Sequence, residues 1–438
     1  MLPLILPLLL TASFASPLAR PLSPRDSTAA VVDLSVKRGA PKHLASGFIY
    51  GMPDTPNQIP DHFYKEMGFN YGRAGGAQLE APARGWIWGL EEYNGRLQST
   101  LSNYNTARKY EADFILLPHD IWGTDHLNSS TVWPGDNGDW TDYDKFIKKL
   151  MADLKANNAL RGLERSLQQW VGLYVRTHKL IRQDSSFNNV QISGPTLAWR
   201  PLLDNTWWTT WLAAIAGNKT ILDQYAYHLE GDTSAVDNDL QTTNATLTEL
   251  LQTYQLPQQQ ININEYANSG ERIPAGAAWW ISRLERYDAI GLRGNWLSGT
   301  TLHDLFANLL TKVNNAFDYY ATDYVPVGEY QVYKYYNLNM TGTRVQTTGT
   351  DDRLFDVYAT VGNDKVRILS GARHTTGTWA ITVNNLSATW GFVGTSVWEE
   401  VDAPSDRGIV AHTYTGDTVT FPIWQTDNTT AWAFEFAV

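Results

Sequence analysis

Between about residue 45 and residue 320 the chain alternates short apolar, β-forming runs with longer stretches whose apolar positions recur at helical spacing. The short runs fall at residues 48–50, 70–73, 114–117, 190–193, 225–228, 260–263 and 290–293, and the helical stretches include 141–157, 167–183, 207–216, 241–254 and 275–287. Alternation of this kind predicts parallel strands joined by helical crossovers, and this many repeats predict an α/β fold of the TIM (β/α)8 barrel type. Only seven strands are found. The interval from 114 to 190 is far longer than the others and holds two helices with no strand between them. What separates those helices is Ala159-Leu-Arg-Gly-Leu-Glu-Arg-Ser-Leu167, which has no β-branched residue and two arginines and reads as a turn. The fourth barrel strand is therefore expected to be missing.

After residue 325 the texture changes to Tyr/Val/Thr-rich alternation at 330–336, 354–361, 366–370, 379–383, 418–422 and 432–436, with no stretch of helical period. This predicts an all-β sandwich domain over 326–438, after a barrel domain over 31–325. The alternating residues 31–36 read as a further strand that could pair with the β domain.

The chain ends and the composition bound the setting. Residues 1–16 form an uncharged apolar run closed by small residues, as in a signal peptide, and residues 17–30 are a Pro/Ser-rich mobile segment. No later apolar stretch reaches the roughly 18 residues a membrane helix needs, so a secreted, extracellular protein is expected rather than a membrane-embedded one. Asn-x-Ser/Thr triplets at Asn128, Asn218, Asn244, Asn339, Asn385 and Asn428 suit a glycosylating secretory route. The lack of cysteine excludes disulfides and thiolate-bound metals. A net charge of -11 argues against nucleic acid and anionic membrane surfaces as partners. The 18 Trp and 22 Tyr matter because flat rings stack on the C–H faces of sugars, although most must simply fill the core.

In a (β/α) barrel the chemistry sits at the C-terminal ends of the strands. Glu265 meets that test: Gln-Gln-Ile-Asn-Ile-Asn-Glu265 alternates like a strand and ends in a carboxylate before a Gly/Ser loop. It is the candidate nucleophile, although a carboxylate there could instead pair with Arg272. His228 ends its strand in the same way and could orient Glu265, bond a sugar hydroxyl or serve as a core histidine. Arg73 could pair with Glu265 and keep it ionised. His119 and Trp122 follow the third strand and Trp296 the last, as candidates for contact with a sugar. There is no Gly-x-Ser-x-Gly elbow, no His-Glu-x-x-His helix and no phosphate or dinucleotide loop. No cofactor and no metal are expected.

The runs Ser46-Gly-Phe-Ile-Tyr-Gly-Met-Pro-Asp54, Met67-Gly-Phe-Asn-Tyr-Gly-Arg73, Phe114-Ile-Leu-Leu-Pro-His-Asp-Ile-Trp122 and Asn262-Ile-Asn-Glu265-Tyr-Ala together resemble glycoside hydrolase family 39. The resemblance covers nearly the whole mature chain. It implies a secreted retaining glycosidase, similar to β-xylosidases, with Glu265 as nucleophile and an oligo- or polysaccharide-derived glycoside as substrate. It also implies an acid/base Glu in an Asn-Glu-Pro motif ending the fourth strand, between Asn158 and Gln168. No Asn-Glu-Pro occurs in the sequence, and the one carboxylate there, Glu164, sits in a turn-like Arg-Gly-Leu-Glu-Arg setting. The acid/base is thus unassigned, and a secreted sugar-binding protein without catalysis is the alternative reading.

Overall fold

The computed structural model describes residues 28–76, 79–157, 167–231, 236–389 and 416–438. The expected signal peptide, most of the segment after it and the turn at 158–166 lie outside the described residues. The first strand, β1 (Ala29–Lys37), begins slightly before the alternation predicts. Seven parallel strands follow: β2 (Gly47–Ile49), β3 (Tyr71–Ala74), β4 (Asp113–Leu116), β5 (Ser193–Leu197), β6 (Gln224–Leu229), β7 (Gln260–Tyr266) and β8 (Ile290–Arg293). Their order is β4-β3-β2-β8-β7-β6-β5, so the last strand pairs back onto the first. Phe48 lies opposite Arg293 across that seam. β4 and β5 are the two ends of the sheet, and among the described residues neither has a second strand partner. Residues from both ends nevertheless line one cavity with Arg73 and Glu265. The sheet is therefore curled into a barrel that stays open between its third and fourth described strands.

Helices cover the outside: α1 (Asp61–Glu66), α2 (Leu90–Lys109), α3 (Pro118–Trp122), α4 (Thr141–Ala156), α5 (Leu167–Gln183), α6 (Thr206–Asn218), α7 (Leu240–Thr253) and α8 (Pro274–Arg286). Two of them start at side-chain caps. Asn205 accepts hydrogen bonds from the amides of Trp207 and Trp208 at the head of α6, and Asp239 accepts one from Gln241 at the head of α7. α4 buries Tyr143, Phe146, Ile147, Leu150 and Leu154, a stripe at helical spacing. Ile147, Leu150 and Leu154 of α4 and Ile181 of α5 enclose an apolar cavity of about 30 Å³ with Leu116 and Pro118, beside the free edge of β4. Two helices thus shield the side of the barrel where its sheet is open.

Beyond β8 come a short hairpin, β9 (Leu310–Lys312) with β10 (Tyr324–Pro326), and a helix, α9 (Gly328–Leu338). The helix corrects the sequence expectation of a strand at 330–336. Tyr330, Val332, Tyr333 and Tyr336 are buried at helical spacing. Tyr333 Oη lies 2.8 Å from Tyr266 Oη, and Tyr336 Oη donates to Glu285 at 2.5 Å. Burial of one helical face against the barrel outweighs the β preference of a Tyr/Val run.

The C-terminal domain holds β11 (Thr343–Thr348), β12 (Phe355–Val361), β13 (Lys365–Ala372), β14 (Gly377–Asn384), β15 (Thr418–Gln425) and β16 (Trp432–Ala437). β1 joins it, parallel to β14 and antiparallel to β11. The sheet order is β15-β14-β1-β11-β12-β13-β16, yet Phe421 of β15 stacks on Phe434 of β16 at 5.2 Å between ring centroids. Phe355 of β12 likewise stacks on Trp379 of β14 at 5.4 Å. The sheet folds over a shared apolar core as a sandwich does.

α8 joins the two domains. Its buried Arg283 donates to Asp239 at 3.0 Å on the barrel side and pairs with Asp356 of β12 at 2.8 Å. Removing one partner of a buried ion cluster leaves uncompensated charge, which typically costs about 3–5 kcal/mol. Arg283→Met should therefore destabilise the protein by about that amount in chemical denaturation, whereas a loss below about 1 kcal/mol would show that the cluster is dispensable.

Candidate active site

The parallel register brings side chains from distant strands to one end of the barrel. Glu265, near the end of β7, is paired across the sheet with His228 of β6. Arg73, near the end of β3, reaches across the interior: Nη2 forms an ion pair with Glu265 Oε1, and Nη1 donates to the Asn264 carbonyl at 2.7 Å. His228 Nδ1 lies 3.3 Å from Glu265 Oε2. Arg73, His119, His228 and Glu265 line a single cavity of about 210 Å³, together with Tyr50, Asn262 and Asn264. The cavity extends down to Gln191 and Gln224, at the opposite ends of β5 and β6, so the interior of the barrel is polar and partly open below the site.

Neither of the two predicted tryptophans lines this cavity. Trp122 is buried, with its ring 5.2 Å from Phe146 and 5.8 Å from Tyr143, and borders a separate depression of about 410 Å³ that also contains Trp88. It does not line the cavity around Glu265. Trp296 is 54% exposed on the rim after β8, with the Arg272 guanidinium 5.7 Å from its ring. Trp199, after β5, is similarly exposed on the same face. No sequence reasoning singled it out, although a Trp just past a strand end is a readable signal.

A more consequential omission is Glu230. It is the first residue past β6 and continues the alternation that turns His228 inward, so the pattern His228-Leu-Glu230 could have revealed it. Its carboxyl is hydrogen-bonded to that of Glu265 and lies 4.0 Å from His228 Nδ1. Gly294, after β8, leaves the necessary room, because a Cβ there would come within 2.5 Å of Glu230 Oε1.

The electrostatics separate the two acids. Burial alone would raise the Glu265 pKa, but the Arg73 guanidinium, helped by His228, holds it well below the usual carboxylate range. Glu230 moves the opposite way, raised first by burial and then by the charge of Glu265. The pair therefore shares one proton near neutral pH, carried by Glu230. Burial pushes the His228 imidazole down to about 4, so it is neutral there. Tyr50 donates to Asp120 at 2.8 Å, and Asp120 also lies 3.0 Å from His119 Nε2, which ties the ends of β2 and β4 together at the cavity.

Ligating atoms of His228, Glu230 and Glu265 lie within 4.8 Å of one another, a spacing that a metal ion could bridge. Arg73 already neutralises Glu265, and Glu230 holds a proton, so a divalent ion would have to displace both. The donor set fits an acid and carboxylate pair better than a metal centre. Such a pair, one ionised and one protonated, is suited to attack by one carboxyl and proton donation by the other.

No family model matches the chain, and no curated protein matches it. Solved structures do. The structure of N2152 from Neocallimastix frontalis aligns at 17% identity with a TM-score of 0.68, over 93% of this chain and 98% of that one. A GH30 endoxylanase from Clostridium papyrosolvens C71 aligns at 15% identity and a TM-score of 0.54, over 94% and 100%. A monomeric beta-xylosidase from Caulobacter crescentus CB15 aligns at 12% identity and 0.55, over 94% and 99%. Similarity at these identities establishes the architecture: a TIM-like barrel with a β domain, shared along nearly the full length with solved glycoside hydrolases.

Proposed function

We propose that the protein is a secreted, retaining glycoside hydrolase similar to family 39, with Glu265 as its nucleophile. The observation that carries this reading is a buried carboxylate at a strand end, kept ionised by Arg73 on the wall of a cavity large enough for a sugar ring. In the first step Glu265 attacks the anomeric carbon as the bond to the leaving oxygen breaks, and in the second water releases the sugar from the resulting ester. Arg73 and His228 position the nucleophile. His119, on the cavity wall, meets sugar hydroxyls in this reading, and the exposed Trp296 stacks on a ring. Endoxylanase, xylosidase and glucosidase names among the structural neighbours support β-xylosides and β-glucosides as first substrates to test. The edges of β4 and β5, which have no second strand partner among the described residues, and the lack of Asn-Glu-Pro in the sequence favour sugar binding without turnover as the second reading.

Incubation with activated 2-fluoro xylosides and glucosides should attach one sugar to the peptide containing Glu265, detected by mass spectrometry and absent in Glu265→Gln. Labelling of another residue would refute the assignment. Sugar binding with no labelling would favour the non-catalytic reading.

The pH profile offers a second test. Arg73 lowers the Glu265 pKa, so its removal must raise that pKa, and the nucleophile must be ionised to attack. The acid limb of kcat/KM should therefore move to higher pH in Arg73→Met, while an unchanged acid limb would mean that Arg73 does not set the charge of Glu265.

A further inference from the structure

We propose that Glu230, at the end of β6, is the acid/base of this site. The carboxyl group hydrogen-bonded to Glu265 would take the role that the family resemblance assigns to the fourth strand. The inference rests on the glycosidase reading of Glu265 and deepens it.

Position comes first. Glu230 stands at the C-terminal end of a strand, next to the strand that carries Glu265, where the catalytic groups of a barrel gather. Oxygens of the two carboxyls lie within 4.8 Å of one another. That figure is a ceiling: the hydrogen-bonded oxygens lie closer than the roughly 5–5.5 Å of retaining enzymes, and well short of the roughly 6.5–9.5 Å that inverting enzymes need to seat a water. Both side chains are also accessible to a similar degree, 15% for Glu230 and 19% for Glu265. Glu265 lines the cavity, and Glu230 stands beside it just past the end of β6.

The charge state suits the first step. The groups acting on Glu230 are Glu265 on β7, Arg73 on β3 and Arg272 in the loop before α8; burial and Glu265 keep it protonated against the pull of the two arginines. Glu230 then gives its proton to the glycosidic oxygen as that oxygen leaves the anomeric carbon with the bonding pair. Glu265 forms the new carbon–oxygen bond. Once Glu265 is an ester its charge is gone, and with it one of the causes that held the Glu230 proton. In the second step the Glu230 carboxylate takes a proton from water as the water oxygen bonds to the anomeric carbon. The ester bond breaks, and both carboxyls return to their starting states.

A residue that merely holds Glu265 in place would serve every substrate equally, whereas a proton donor matters in proportion to how poor the leaving group is. Glu230→Gln keeps an amide donor toward Glu265 and removes the transferable proton. With xylosides and glucosides bearing alkyl or sugar leaving groups, its kcat/KM should fall by about 10²–10⁴. With dinitrophenyl glycosides kcat/KM should change only a few-fold. Azide should raise turnover of the variant and yield a β-glycosyl azide, and the alkaline limb of the wild-type pH profile should flatten. Glu230→Asp retains a carboxyl and should recover part of the activity on poor leaving groups, which keeps the test valid if the glutamine variant is unstable. An equal loss across all leaving groups, with no azide product, would overturn the assignment and leave Glu230 a positioning residue. Failure of Glu265 to be labelled in the wild-type protein would instead overturn the double-displacement reading beneath it.

Discussion

The site depends on one buried ion pair that spans the barrel. Arg73 and Glu265 stand on strands separated in the sheet by β2 and β8, and their side chains meet in the interior because the β8–β2 seam curls the sheet. A carboxylate this buried would rather be neutral, and a guanidinium this buried would be costly alone. Together they satisfy each other, and the Asn264 carbonyl takes a second donor of the same arginine. The negative charge held at Glu265 in turn helps to keep the proton on its neighbour Glu230. The chemistry of two acids therefore follows from the placement of one cation.

The open side of the barrel bears on the same site. A closed eight-stranded barrel fills its interior with packed side chains. Here the cavity continues from Glu265 past Asn262 to Gln191 and Gln224, where the polar side chains bond mainly to one another. The gap between β4 and β5 is shielded from outside by α4 and α5, so the barrel keeps a covered exterior while its sheet lacks continuity among the described residues. On the far side, α8 fastens the β domain through Arg283, and α9 covers α8 and α1.

Much of this was legible from residue pattern. Six of the barrel strands, the long interval after the third and the strand-end position of Glu265 follow from periodicity, because parallel strands buried on both faces stand out as short apolar runs, whereas β5 (Ser193–Leu197) begins only where the run at 190–193 ends. The helix at 328–338 was hidden, since its Tyr/Val content imitates a strand and only tertiary burial selects the helical period. Trp122 follows β4 and so reads as a sugar platform, but the short helix α3 turns it into the core against Phe146. Glu230 is hidden in the sequence for a different reason. Its strand ends on the more conspicuous His228, and a lone carboxylate in a loop has no special meaning until a neighbouring strand brings a second one beside it.

The most direct test of the account is a crystal structure of the protein after reaction with an activated 2-fluoro xyloside or glucoside. The account predicts an ester between Glu265 and the anomeric carbon, with Arg73 still on the other carboxyl oxygen and Glu230 the nearest free carboxyl to the reacting centre. An intact sugar in the cavity, an ester on another residue, or a different carboxyl beside the anomeric carbon would contradict it.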